Sequence, residues 1–155
     1  MASVSDNEYR FSEQVGFLLR RAYQRHAAIF KEMVAHTQLT AGQFVVLCTV
    51  RDRASCQVPD IVAATAIDEP SVRGIIERLK WRELLQVAHE PGDARRMVVT
   101  LTPAGRTIVE TVTPIAEQIT ELTFGDLDAG ERQTLVTLLR RIGEGGEGID
   151  AAAAG

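Results

Sequence analysis

Residues 84–105 read Leu84-Leu85-Gln86-Val87-Ala88-His89-Glu90-Pro91-Gly92-Asp93-Ala94-Arg95-Arg96-Met97-Val98-Val99-Thr100-Leu101-Thr102-Pro103-Ala104-Gly105, and the period of the chain changes inside them. Leu84 to His89 and Met97 to Leu101 are rich in β-formers, and Glu90 to Ala94 between them carries the turn residues Pro and Gly. That spacing predicts a β-hairpin. Thr102-Pro103 then has the chemistry of a helix start, a hydroxyl cap followed by a Pro in the first turn.

On both sides of the hairpin the pattern is helical. Upstream, Asp68 caps a helix with Pro70 in its first turn and Val72, Ile75, Ile76 and Leu79 as its buried face. A shorter helix runs from Pro59 to about Ala66, and Ala66-Ile67-Asp68 makes a tight turn between the two. Thr40-x-x-Gln43 is a capping box opening a helix that contains Phe44, Val45, Leu47, Cys48 and Val50. From Phe11 to about His36 the apolar residues fall on one stripe, which predicts a single long first helix. Downstream, a fifth helix spans Pro103 to about Phe124, with a bend expected at Pro114. Asp128-x-x-Glu131 opens a sixth through Leu135, Leu138, Leu139 and Ile142.

The fold class that follows is mainly α with a small β-hairpin wing, a winged helix-turn-helix block flanked by dimerisation helices. Its expected organisation is an N-terminal arm (1–10), a first dimerisation helix (11–38), the winged block (40–101), helices five and six (103–142) and a disordered tail (143–155). The flanking stripes exceed what so small a block can bury, which predicts packing against a second copy.

At 155 residues, 45% hydrophobic and 25% charged, the chain has the composition of an ordinary globular protein. No stretch reads as a membrane span and the first residues lack a secretion pattern, so a cytoplasmic location is expected. The net charge of −4 hides segregation: residues 71–106 carry seven basic and four acidic side chains, while residues 107–155 carry three basic and nine acidic. A basic segment between acidic ones is the footprint of a polyanion-binding surface. Enzymatic motifs are missing: there is no His-Glu-x-x-His, nucleophile elbow, phosphate-binding Gly loop or Cys-x-x-Cys. His89, Glu90 and Asp93 have no fourth ligand, and neither a metal nor a cofactor is expected. Cys48, on an apolar helix face, is expected to be buried and inert, whereas Cys56 before the third helix leaves reactivity open.

The run Asp93-Ala94-Arg95-Arg96-Met97-Val98-Val99-Thr100-Leu101-Thr102-Pro103-Ala104-Gly105 resembles the wing of the MarR family of bacterial transcription regulators, with Asp-x-Arg at its tip and Leu-Thr-x-x-Gly after the strand. Leu39-Thr40-x-x-Gln43-Phe44-x-x-Leu47 is similar to the start of that family's second helix, and Pro70-Ser71-Val72 with Arg78-Leu79 to its recognition helix. Two positions depart from the pattern: Gly74 stands where a basic or polar residue is usual, and Glu83 where a Gly commonly precedes the wing.

The resemblance implies a homodimer bound to a pseudo-palindromic operator duplex. In a helix-turn-helix the second helix meets base edges, which assigns Ser71 and Arg73 to the groove. Arg78, Lys80 and Arg82 suit phosphates, and Arg95 and Arg96 suit the minor groove. The resemblance implies that Asp93 braces the wing by pairing with Arg. On the first helix, His26 falls within the apolar stripe, flanked by Tyr23 and Arg25. With Phe44 they would cradle a small organic anion, and many relatives take aromatic carboxylates. The expected function is a repressor released by a hydroxylated benzoate, cinnamate or pyridine carboxylate. A core His with paired arginines, control by cysteine oxidation or without a ligand, and a protein-binding winged helix remain the alternatives.

Overall fold

The structure, a computed structural model, describes residues 8–145. Its elements are α1 (Val15–Met33), α2 (Ala41–Arg53), β1 (Cys56–Gln57), α3 (Val58–Thr65), α4 (Glu69–Trp81), β2 (Leu85–Glu90), β3 (Asp93–Leu101), α5 (Pro103–Phe124) and α6 (Ala129–Gly143). Short 3₁₀ turns at Phe11–Glu13 and Ala35–Thr37 flank α1. The chain forms two compact units, one ending at Thr120 and the other beginning at Glu121. The expected tail from Gly146 onward, and the arm before Glu8, lie outside the described residues.

The first unit holds the winged helix. Thr40 caps α2 reciprocally: its hydroxyl accepts the Gln43 N–H at 3.1 Å, and Gln43 Oε1 accepts the Thr40 N–H at 3.1 Å. Ala66, left-handed at φ 56°, ends α3, and its N–H donates to the Val62 carbonyl. Asp68 caps α4 two residues later. Val46, Leu47, Val50, Ile61, Val72, Ile76, Leu79 and Val99 are fully buried together, so α2, α3, α4 and the sheet share one core.

The hairpin is present, with β2 shifted by one residue from the predicted Leu84–His89, β3 longer than the predicted Met97–Leu101, and a tight Pro91-Gly92 turn. It is also joined by a strand that sequence patterning does not show. Cys56 and Gln57 pair with Val99 and Val98, making a three-stranded antiparallel sheet ordered β1-β3-β2. Val87 lies opposite Val99 on the other side.

The first helix is shorter than the predicted Phe11–His36 stretch. Gln14 sits in extended backbone, and the turn before it places the Phe11 ring edge-on to Phe17 at 5.4 Å. At the other end Thr37 Oγ1 donates to the Val34 carbonyl at 2.6 Å and accepts the Leu39 N–H. Such local side-chain bonding competes with helix continuation. The C-terminal part of α1 packs on the block through Phe30, Met33 and Val34, with the Phe30 ring 5.6 Å from Phe44. Its N-terminal part does not: Val15, Leu18, Leu19 and Tyr23 are exposed.

The wing and α5 meet at a close approach. Leu84 follows Glu83, left-handed at φ 58°, and the Leu84 N–H donates to Leu79 while the Glu83 N–H donates to Lys80. This is the paired hydrogen-bond pattern that ends a helix with a left-handed residue. Thr102 Oγ1 donates to the Glu83 carbonyl at 2.7 Å and accepts the Gly105 N–H at 3.0 Å. A Cβ on Gly105 would stand 2.2 Å from the Leu84 carbonyl oxygen, so only glycine fits where α5 crosses the start of the wing.

In the second unit, Arg132 gathers the turn before α6. It pairs with Glu121, donates to the Leu127 carbonyl at 2.8 Å and lies over the Phe124 ring. Asp128 and Glu131 form the predicted capping box. No residue of α6 is buried.

Candidate nucleic-acid interface

The outward surface of α4 is built by its own first turn. The Asp68 carboxylate accepts the Ser71 N–H at 3.0 Å and the Ser71 hydroxyl at 2.8 Å. The Ser71 hydroxyl and N–H together hold the Asp68 carboxyl below its ordinary range, so it is ionised at neutral pH. One turn on, Arg73 donates through Nε (3.0 Å) and Nη2 (2.8 Å) to the same Glu69 oxygen. Glu four residues before Arg is a favourable helical pair, and that spacing in the sequence is the signal by which Glu69 could have been found.

Buried Val72, Ile76 and Leu79 define the inner side of α4. At about 100° per residue the opposite side is centred on Pro70, Gly74 and Trp81, with exposed Glu77 and then Arg73 on one flank and Arg78 and then Ser71 on the other. A Cβ on Gly74 would meet nothing within 4 Å, so packing does not require the glycine. Trp81, which no motif in the sequence marks, is 84% exposed at the end of this surface.

The cations differ in what engages them. Arg82, expected on a phosphate, is instead a strut: Nη2 donates to the Thr37 carbonyl at 2.6 Å and Nη1 to the Gln38 carbonyl at 3.3 Å, tying α4 to the turn after α1. Those partners are 45 and 44 residues away, beyond any local sequence signal. At the wing tip Asp93 accepts the Arg95 N–H at 3.0 Å, and its other oxygen lies 3.8 Å from Arg96 Nε. Glu90 lies 3.9 Å from Arg96 as well. The bracing arginine is therefore Arg96, not Arg95. The side chains of Arg78, Lys80 and Arg95 are exposed and form no ion pair among the described residues.

Among the described residues, the four expected to cradle an anion differ in exposure and engagement. Tyr23 is 58% exposed, with its ring 6.2 Å from that of His26, which is half-buried rather than buried. Arg25 is exposed, and Phe44 faces Phe30. Clefts of about 450 Å³ (Gln38, Gln43, Glu77, Arg78, Trp81, Arg82) and about 230 Å³ (Lys31, Ala35, Gln38, Leu39, Thr40) open nearby in sequence, and neither includes them.

Burial falls more on the second cysteine than the sequence suggests. Cys56 is the buried one, seated in β1 with its thiol 3.7 Å from the Thr49 carbonyl, and Cys48 is half-buried. Burial raises both thiol pKa values, which lowers the thiolate fraction at neutral pH.

No protein-family model matches the chain. Curated relatives do. The HTH-type transcriptional repressor NicR of Pseudomonas putida is 46% identical over 141 residues, covering 91% of this chain and 89% of the relative. The multiple antibiotic resistance protein MarR of Salmonella typhimurium is 31% identical over 147 residues, covering 92% and 99%. The chain belongs to the MarR family. Among solved structures, Bordetella bronchiseptica BpsR superposes with a TM-score of 0.80 at 57% identity, covering 89% of this chain and 99% of that one. That structure concerns regulation of BpsR DNA binding by 6-hydroxynicotinic acid. Membership accounts for the winged helix and its hairpin as parts of one family fold.

Proposed function

We propose that this MarR-family chain is a homodimeric, sequence-specific repressor of transcription that leaves its operator when a hydroxylated pyridine carboxylate binds. The observation that carries the DNA-binding part is the set of exposed cations Arg78, Lys80 and Arg95, which form no ion pair among the described residues, on the recognition helix and wing of one block. Phosphate contacts from such side chains position a protein on duplex DNA, and base contacts from α4 specify the site. The name of the relative NicR supports repression, and the BpsR structure supports the effector class.

The second copy is supported by apolar surface that one chain leaves wet: Phe11, Val15 and Leu18 before and on α1, and Leu135, Leu138, Leu139 and Ile142 on α6. The effector is assigned to Tyr23, Arg25, His26 and Phe44, with the carboxylate toward Arg25 and the ring against Tyr23 or Phe44. In this reading the second copy completes the cradle. Reversing operator occupancy from about 99:1 to about 1:99 requires a roughly 10⁴-fold preference of the effector for the released arrangement.

The test is a mobility-shift titration on duplexes selected from a random pool, with 6-hydroxynicotinic acid and a matched pyridine amine. The expected result is salt-dependent binding that the acid abolishes and the amine does not. Absence of duplex binding overturns the DNA reading, and equal action of acid and amine overturns the effector assignment.

A further inference from the structure

The first turn of α4 fixes the hydrogen-bond polarity of Ser71 and Arg73, the two side chains that the helix-turn-helix reading brings to base edges. Ser71 has one hydroxyl hydrogen, and an ionised carboxylate can only accept. With Ser71 Oγ 2.8 Å from Asp68 Oδ1, that hydrogen points to Asp68, leaving the lone pairs of Oγ for an outside partner. Two residues on, Glu69 takes Nε and one edge of Nη2 of Arg73, holding the guanidinium plane while its remaining N–H groups stay available. Between the two flanks lies Gly74, whose missing side chain lets the helix backbone approach closely.

Resting on the reading of α4 as the DNA-contacting helix, we propose that Asp68 makes Ser71 an acceptor that selects a base with an exocyclic amino group, and that Glu69 positions Arg73 to select guanine. In the major groove adenine N6 and cytosine N4 donate, whereas guanine O6 and N7 and thymine O4 accept. An acceptor-only serine therefore favours adenine or cytosine at its base position and discriminates against guanine and thymine there. Asp68 and Glu69 are positioning residues, acting through Ser71 and Arg73.

Asp68→Asn separates this from a purely structural role. Asn caps helices as well as Asp, so α4 is retained, but its amide can donate to Ser71 Oγ and free the hydroxyl to donate outward. Base preferences are read by binding of the full-length protein to every single-base variant of a selected operator. For Asp68→Asn the expected result is a shift at one base position per half-site from adenine or cytosine toward guanine or thymine. Ser71→Ala should erase preference at that same position. Glu69→Ala should reduce the guanine preference at a second position by about tenfold, while affinity for random duplex stays equal or rises because a carboxylate has left. Preferences unmoved in all three variants, with salt-dependent duplex binding intact, overturn this inference alone. If no duplex binds the wild-type protein, the function proposed above and this inference fall together.

Discussion

The winged block and the α6 region use similar residues to opposite effect. In the block, aliphatic side chains from α2, α3, α4 and β3 close on each other, and eight of them reach 0% exposure: Val46, Leu47, Val50, Ile61, Val72, Ile76, Leu79 and Val99. On α6, Leu138 and Ile142 stand 45% and 57% exposed and no residue is buried. Both regions have well-capped helices, so local chemistry does not separate them. The difference is that the block's core is closed within the first unit, by its own helices and sheet together with Phe30 and Val34 from the end of α1 and Val109 and Val112 from α5, whereas the apolar side of α6 has no equivalent cover in its unit. Burial of apolar surface is the dominant stabilising force, and a stripe this size calls for another surface. The winged block is thus closed within one chain, whereas α6 leaves its apolar side for another surface to cover.

The largest effect is expected from charging that stripe. Leu138→Glu combined with Leu139→Glu should convert the protein from dimer to monomer, measured by sedimentation at micromolar concentration. A dimer of unchanged mass would break the comparison by showing that α6 exposure is not an interface. Next comes the block: Leu79→Ala should cost about 2–5 kcal/mol, measured by urea unfolding at fixed protein concentration. A loss below about 1 kcal/mol would mean that Leu79 does not sit in a tightly packed core. The smallest change should be a gain. Glu83 is left-handed at φ 58° on the exposed turn before the wing, and Glu83→Gly should raise stability by about 1 kcal/mol by removing the Cβ penalty. An unchanged or lower midpoint would show that the Glu83 side chain offsets that strain.

What is legible in the sequence is whatever local chemistry dictates. The Thr40/Gln43 and Asp128/Glu131 boxes, the Asp68 cap with Pro70 and the change of period after Leu84 each appear in the structure where the residues predict them. Two-residue β1 is not legible, because Cys56-Gln57 is too short to show alternation and owes its strand to pairing with β3. Nor are the breaks at the ends of α1, where Gln14 and Thr37 override a continuous apolar stripe. At the candidate interface, residue type identifies the cations but not their engagement. Arg82 is drawn to carbonyls distant in sequence, Arg96 rather than Arg95 takes the Asp93 brace, and Glu69 holds Arg73. The Tyr23, Arg25, His26 and Phe44 grouping rests on helical angles alone, which fix direction along one helix but not convergence between two.

If α4 and the wing present their exposed cations to the DNA backbone, the salt dependence of binding must register them. The direct measurement is the dissociation constant for a selected duplex across a range of salt concentrations, for the wild-type protein and for Arg95→Ala. A linear log–log plot is expected for the wild type, and for Arg95→Ala a weaker affinity with a slope shallower by roughly 0.9 for each phosphate that the side chain no longer neutralises. Identical affinity and slope for the two proteins would mean that Arg95 does not reach the DNA backbone.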